Sequence, residues 1–129
     1  ESADALVTTM GESAPPWVAA KRNLPPERYD QLASEARELA RRWLDALSDA
    51  QRNEVEIFAC GPHPMLKASA QLARDYNLPC QVSLEEYMAC AVGGCAGCVV
   101  EISTAQGPAM KRVCVDGPVF DASQVASFR

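Results

Sequence analysis

The stretch Val55-Glu56-Ile57-Phe58-Ala59-Cys60-Gly61-Pro62-His63-Pro64-Met65-Leu66 holds a strand, a break and the start of a helix in one short run. Apolar residues alternate and then run together from Val55 to Cys60, the pattern of a buried strand. Gly61 and Pro62 interrupt it, and Pro64 suits the first turn of a helix. From there Met65, Leu66, Ser69, Leu72, Ala73 and Tyr76 recur at helical spacing, until Asn77 and Pro79 close the helix. A β-turn-α unit of this kind forms the edge of an open parallel sheet, so the fold class read here is α/β. Ligands bind such sheets at the carboxyl ends of the strands, where Cys60, Gly61 and Pro62 fall. On these residues alone, a purely structural turn is equally admissible.

Downstream, four of the six cysteines make a second pattern: Cys90-Ala91-Val92-Gly93-Gly94-Cys95-Ala96-Gly97-Cys98, then fifteen residues, then Cys114. The C-x4-C-x2-C spacing is that of plant-type [2Fe–2S] ligands. Four thiolates must converge on two irons from a loop that carries no bulk. Gly93, Gly94 and Gly97 can adopt positive φ at little steric cost and let the backbone approach the sulfides, while Ala91 and Ala96 keep the remaining space small. Inward backbone N–H groups would raise the reduction potential. Val99-Val100-Glu101-Ile102 reads as a strand, and Lys111-Arg112-Val113-Cys114-Val115 as a second one carrying the last cysteine. Ala105 to Ala109 reads as a turn of variable length between them. A structural zinc site usually pairs one C-x2-C with a second short-spaced pair, and only one is present. Disulfides would need an oxidising compartment, and no signal-like apolar stretch begins the chain.

The N-terminal third carries less information. Residues 1–28 are small, polar and proline-punctuated. Ala5-Leu6-Val7-Thr8-Thr9-Met10 has the composition of a strand. Between Pro26 and Ala50 the residues Tyr29, Leu32, Ala36, Leu39, Ala40, Trp43 and Leu47 follow a helical period. One amphipathic helix covering a face of the sheet is therefore predicted, with Trp43 in the core rather than stacked on a flavin. Hydrophobic residues make up 48% of the 129 residues and the net charge is −5. There is no basic cluster and no long apolar run, which argues against a nucleic-acid partner and a membrane span. A free-thiol ligand set fits a reducing cytoplasm.

Together these segments resemble one known family. The strand ending in Cys60-Gly61-Pro62 with Met65-Leu66 after it looks like the last strand and helix of the nucleotide domain in the ferredoxin–NADP reductase superfamily. Joined to Leu78-Pro79-Cys80-Gln81-Val82-Ser83-Leu84-Glu85-Glu86, the four cysteines and Lys111 to Phe120, the match from about Val55 to Val125 resembles the electron-transfer subunit of class 1B dihydroorotate dehydrogenase. The resemblance implies the end of a Rossmann-like NAD-binding domain (residues 1–79) followed by a small, mainly-β [2Fe–2S] domain (residues 80–129). It also implies Cys90, Cys95, Cys98 and Cys114 as cluster ligands, and Cys60, Gly61 and Pro62 near the nicotinamide and flavin. FAD and NAD are the implied further cofactors. The implied partner is an FMN-containing catalytic subunit, in a heterotetramer, so that the chain is an electron-transfer component rather than a catalyst on its own. Family members begin with a flavin-binding β-barrel and a glycine-rich half-domain. Here the chain opens on Glu1, Gly11 is followed by Ala14-Pro15-Pro16-Trp17, and no G-x-G-x-x-G occurs. The C-terminal piece of a longer protein, or a shortened relative, is therefore expected, with the FAD and NAD sites incomplete.

Two further functions stand beside this one: a [2Fe–2S] module of another flavin-dependent complex, such as a hydrogenase or sulfide-reducing diaphorase, and a zinc-stabilised interaction domain. Individual residues have plain roles to set against special ones. His63 is the one histidine and is read as a turn residue. Cys80 and Cys60 are read as small buried hydrophobes. Glu85 and Glu86 either orient the loop, contact flavin or stay exposed. Lys111 and Arg112 either dock an acidic partner or balance the charge of a reduced cluster. The rim at Ala91, Val92 and Ala96 is the expected docking edge.

Overall fold

A computed structural model describes residues 25–90 and 92–129. The strand expected at Ala5–Met10, the altered loop after Gly11 and the Ala91 position lie outside the described residues. Helix α1 spans Pro26–Ala46, with proline in its first turn, and a short helix α2 spans Asp49–Arg52. Strand β1 (Ile57–Cys60), helix α3 (His63–Tyr76) and strand β2 (Cys80–Ser83) follow. After the cysteine loop come β3 (Val99–Thr104), β4 (Gly107–Arg112), a single helical turn α4 (Val113–Asp116) and β5 (Val119–Asp121). A 3-10 turn at Ala126–Phe128 ends the chain.

The β-turn-α unit forms as its sequence directs. Pro62 caps α3, and Asn77 closes it in the left-handed conformation at φ 53, where asparagine is tolerated. β1 and β2 then pair in parallel, Ile57 opposite Cys80 and Cys60 opposite Ser83. β5 adds to β2 antiparallel, Val82 opposite Phe120, so the small sheet is mixed rather than all parallel. A separate two-stranded ribbon, β3–β4, lies beside it.

One core joins these pieces. Leu66, Ala70 and Ala73 of α3 meet Cys80, Val82 and Leu84, and the same cluster holds Cys98, Ile102, Val113, Phe120, Val125 and Phe128. Phe128, Val82 and Val113 are fully shielded, and burial of side chains this size is the main stabilising term. Backbone bonds from Ser103 N–H to the Gln124 carbonyl and from Ala122 N–H to the Cys80 carbonyl stitch the ribbon and the C-terminal turn to the sheet.

The N-terminal helical segment departs from expectation in two ways. Leu47 turns extended, and Ser48 starts a new helix through a capping box with Gln51, so the single helix expected to Ala50 breaks in two. Trp43 faces outward at 56% exposure, with Leu39 at 66%, instead of lying in the core. The buried positions of α1 are Ala33 and Leu44, and the helix packs on α3. Polar ties hold that rotation: Arg37 Nη2 donates to Asp75 at 2.6 Å and Tyr76 Oη to Asp45 at 2.5 Å. By accepting this hydrogen bond the Asp45 carboxylate holds the Tyr76 phenol protonated and raises its pKa.

Candidate metal centre

The ribbon register places two of the cysteines. Val99 stands opposite Arg112, and the Val113 N–H donates to the Cys98 carbonyl at 3.1 Å. Residues just beyond the ladder are therefore neighbours, and Cys98 Sγ lies 3.4 Å from Cys114 Sγ. The ribbon's far end is a two-residue turn, Ala105–Gln106, supported by Thr104 Oγ1, and Gly107 to Ala109 belong to β4. Cys114 is not on a strand as expected but in the helical turn α4. There the Asp116 carboxylate accepts from the Arg112 backbone N–H at 2.8 Å and curls the chain. That bond is the main reason the Asp116 pKa falls.

The other two cysteines are held by their own loop. The Cys95 N–H donates to Cys90 Sγ at 3.4 Å, and the Gly97 N–H to Cys95 Sγ at 3.3 Å. Donation to sulfur favours thiolate. The Cys90 thiol is brought down to about 6, chiefly by the Cys95 N–H. Cys98 is lowered by the Cys114 N–H, while Cys114 is raised because its own thiol hydrogen-bonds to Cys98. Cys80, by contrast, is buried away from donors and is pushed up to about 11, first by burial and then by Asp121. It stays a protonated, small apolar side chain.

One glycine links the two halves. Gly93 sits at φ 79, and a Cβ there would come within 2.6 Å of Val115 Cγ2. Its N–H helps hold Cys114 down, and its carbonyl accepts from Arg112 Nη1 at 3.2 Å. Of the loop's three glycines, Gly93 is the one that uses the left-handed region. Ala96, at φ 53, is the loop's other left-handed residue.

The donor set fits a binuclear cluster. A tetrahedral metal about 2.3 Å from each thiolate holds two sulfurs about 3.8 Å apart, close to the Cys98–Cys114 separation of 3.4 Å. Among the described residues no three potential ligands close on one point. Cys98 and Cys114 form one close sulfur pair, and Cys90 is tied to Cys95 through the Cys95 N–H. Cys98 is buried, Cys90 and Cys114 are half-buried and Cys95 is exposed. Around them Tyr87, Met88, Val92 and Val115 leave large apolar surface in solvent, Val92 at 80%. Glu85, Glu86 and Ala96 are also exposed.

The second candidate site is separate. Cys60 ends β1 and lines a groove formed by β1, α1 and α3, with Ala36, Arg37 and Met65 on its walls; Gly61 and Pro62 follow it into α3 and are not among the lining residues. Cys60 is exposed rather than buried. His63 lies in the first turn of α3, its ring 5.2 Å from that of Phe128. Sequence reasoning missed Asp116 and the Gly93 carbonyl, because their partner, Arg112, is placed by the ribbon and not by any spacing in the chain. No helix among the described residues is long and apolar enough to cross a membrane.

Residues 85–126 match the family model described as the iron–sulfur cluster binding domain of dihydroorotate dehydrogenase B. The electron transfer subunit of dihydroorotate dehydrogenase B (NAD(+)) from Caldanaerobacter subterraneus subsp. tengcongensis is 51% identical over 73 residues, 56% of this chain and 30% of that protein. Its counterpart from Bacillus caldolyticus is 49% identical over 69 residues, 54% of this chain and 26% of that one. A solved chain of an NADH-dependent reduced ferredoxin–NADP oxidoreductase aligns with 32% identity and a TM-score of 0.47, over 63% of this chain and 29% of its own. The chain thus spans under a third of the length of these curated relatives. Over 73 residues this chain is similar to the electron transfer subunit of dihydroorotate dehydrogenase B, and residues 85–126 carry the match to its iron–sulfur cluster binding domain.

Proposed function

We propose that Cys90, Cys95, Cys98 and Cys114 hold a [2Fe–2S] cluster, and that the chain relays single electrons between an FMN-containing dihydroorotate dehydrogenase subunit and FAD and NAD in pyrimidine biosynthesis. The observation that carries this reading is the approach of Cys98 Sγ to Cys114 Sγ, 3.4 Å across the ribbon base, with the Cys95 N–H donating to Cys90 Sγ in the cysteine loop. When bound, the cluster supplies one-electron capacity, which no side chain here has. The protein's part is to hold thiolates, aim N–H groups at sulfur and exclude water on the Cys98 side. No general base or nucleophile is required.

In this reading residues 1–79 are the end of a Rossmann-like reductase domain and residues 80–129 the cluster domain. Cys60, Gly61 and Pro62 face the nicotinamide and flavin, whose sites are completed by protein outside this chain. The exposed apolar rim of Tyr87, Met88, Val92 and Val115 is the face toward the catalytic subunit. A reducing, cytoplasmic setting keeps the thiols free.

Iron and acid-labile sulfide analysis of anaerobically purified protein, with an EPR spectrum after dithionite reduction, tests the assignment. Two irons, two sulfides and a rhombic signal are expected. Cys95→Ser should abolish cluster assembly and Cys80→Ser should leave it intact. One zinc without sulfide, or equal loss in both variants, overturns the reading.

A further inference from the structure

Arg112 occupies an unusual place in the candidate centre. It is the last residue of β4, opposite Val99, and its side chain spans the gap between the ribbon and the cysteine loop. Nη1 donates to the Gly93 carbonyl at 3.2 Å, and Nε lies 3.5 Å from the Asp116 carboxylate. That same carboxylate oxygen takes the Arg112 backbone N–H, so the guanidinium is anchored at its root. The residue it grips is the one held at φ 79 between Cys90 and Cys95.

We propose that Arg112 is the positioning residue that closes the cysteine loop on the ribbon, acting through the Gly93 carbonyl with Asp116 as its anchor; this rests on the cluster assignment above. Three features support it. A part-exposed pair such as Arg112–Asp116 adds little to fold stability, so its geometry is better explained by what it holds in place. The planar fork reaches Gly93 and Asp116 at once, which a lysine ammonium on its flexible stem does not reproduce. The bond also fixes the Gly93 carbonyl against a permanent positive charge beside the cysteine loop. That charge stabilises an added electron on a cluster at that place.

The test compares the full chain with Arg112→Gln, Arg112→Lys and Asp116→Asn, each purified without oxygen. Two readouts are followed: the rate of cluster loss to an iron chelator, from the visible absorbance, and the midpoint potential in a dithionite titration. Arg112→Gln should lose its cluster several-fold faster and show a more negative midpoint. Arg112→Lys should recover the midpoint while keeping the faster loss, since it restores charge but not the fork. Asp116→Asn should also lose cluster faster, and decides the matter if Arg112→Gln does not fold. Wild-type loss rates in both Arg112→Gln and Asp116→Asn, or an unchanged midpoint in a folded Arg112→Gln, overturn the proposal. A wild-type chain that takes up no iron and sulfide overturns instead the cluster assignment, before any variant is compared.

Discussion

The two cysteine pairs are built in opposite ways. Cys98 and Cys114 stand at the base of a hydrogen-bonded ribbon, with Cys98 inside the core that also holds Leu66, Ile102 and Phe128. Cys90 and Cys95 stand on a loop without regular structure, and Cys95 is exposed. The first pair is fixed by folding itself; the second is fixed by a few backbone N–H groups and by Gly93. Half of the centre is therefore preorganised, and the other half depends on contacts worth little individually.

Substitutions can separate the two halves. Leu66→Ala removes a side chain only 2% exposed from the common core, and should cost about 2–5 kcal/mol in thermal or denaturant unfolding. Below its lowered melting temperature, it should still bind iron with wild-type stoichiometry. Gly93→Ala should do the reverse. The left-handed backbone costs an added Cβ about 1–2 kcal/mol, and Val115 must also give way. Cluster content should fall sharply while the circular-dichroism melt of the ribbon and sheet moves less than in Leu66→Ala. If instead the two variants lose cluster and stability in parallel, the centre has no independent half. Ser48→Ala is the smallest change: loss of the α2 cap should cost about 1 kcal/mol and leave metal content untouched.

The regions whose structure is decided locally were legible in the sequence. Val55 to Cys60, the Gly61-Pro62 break and the Asn77 stop specify β1 and α3 through neighbours in the chain, and β3 is announced by its β-branched run. The Ser48-Asp49-Ala50-Gln51 capping box was equally local and readable, yet the helical period running through it concealed the break. What stayed hidden depends on distant partners. Trp43 lies on the more apolar stripe of α1, but the Arg37–Asp75 and Tyr76–Asp45 contacts turn the Ala33–Leu44 face inward. Cys114 follows strand-forming residues, yet Asp116 bends them into a helical turn. β5 joins antiparallel because the core at Phe120 closes over Val82, a pairing no spacing announces. Within the centre, the cysteines were legible as a set, whereas their division into pairs and the clamp on Gly93 came only from the ribbon register.

That register has a consequence for how such chains can vary over generations. Cys98 and Cys114 meet because of which residues pair in the ladder, and the Ala105–Gln106 turn lies at the opposite end, beyond six paired positions. Residues inserted at the turn, or one added to each strand, leave the sulfurs where they are. A slip of the ladder by a single residue would move the pair apart and reverse the faces of a strand. The fifteen residues between these cysteines are thus a hairpin's length rather than a signature. Relatives with shorter or longer intervals are best recognised by matching the paired positions, not by counting residues.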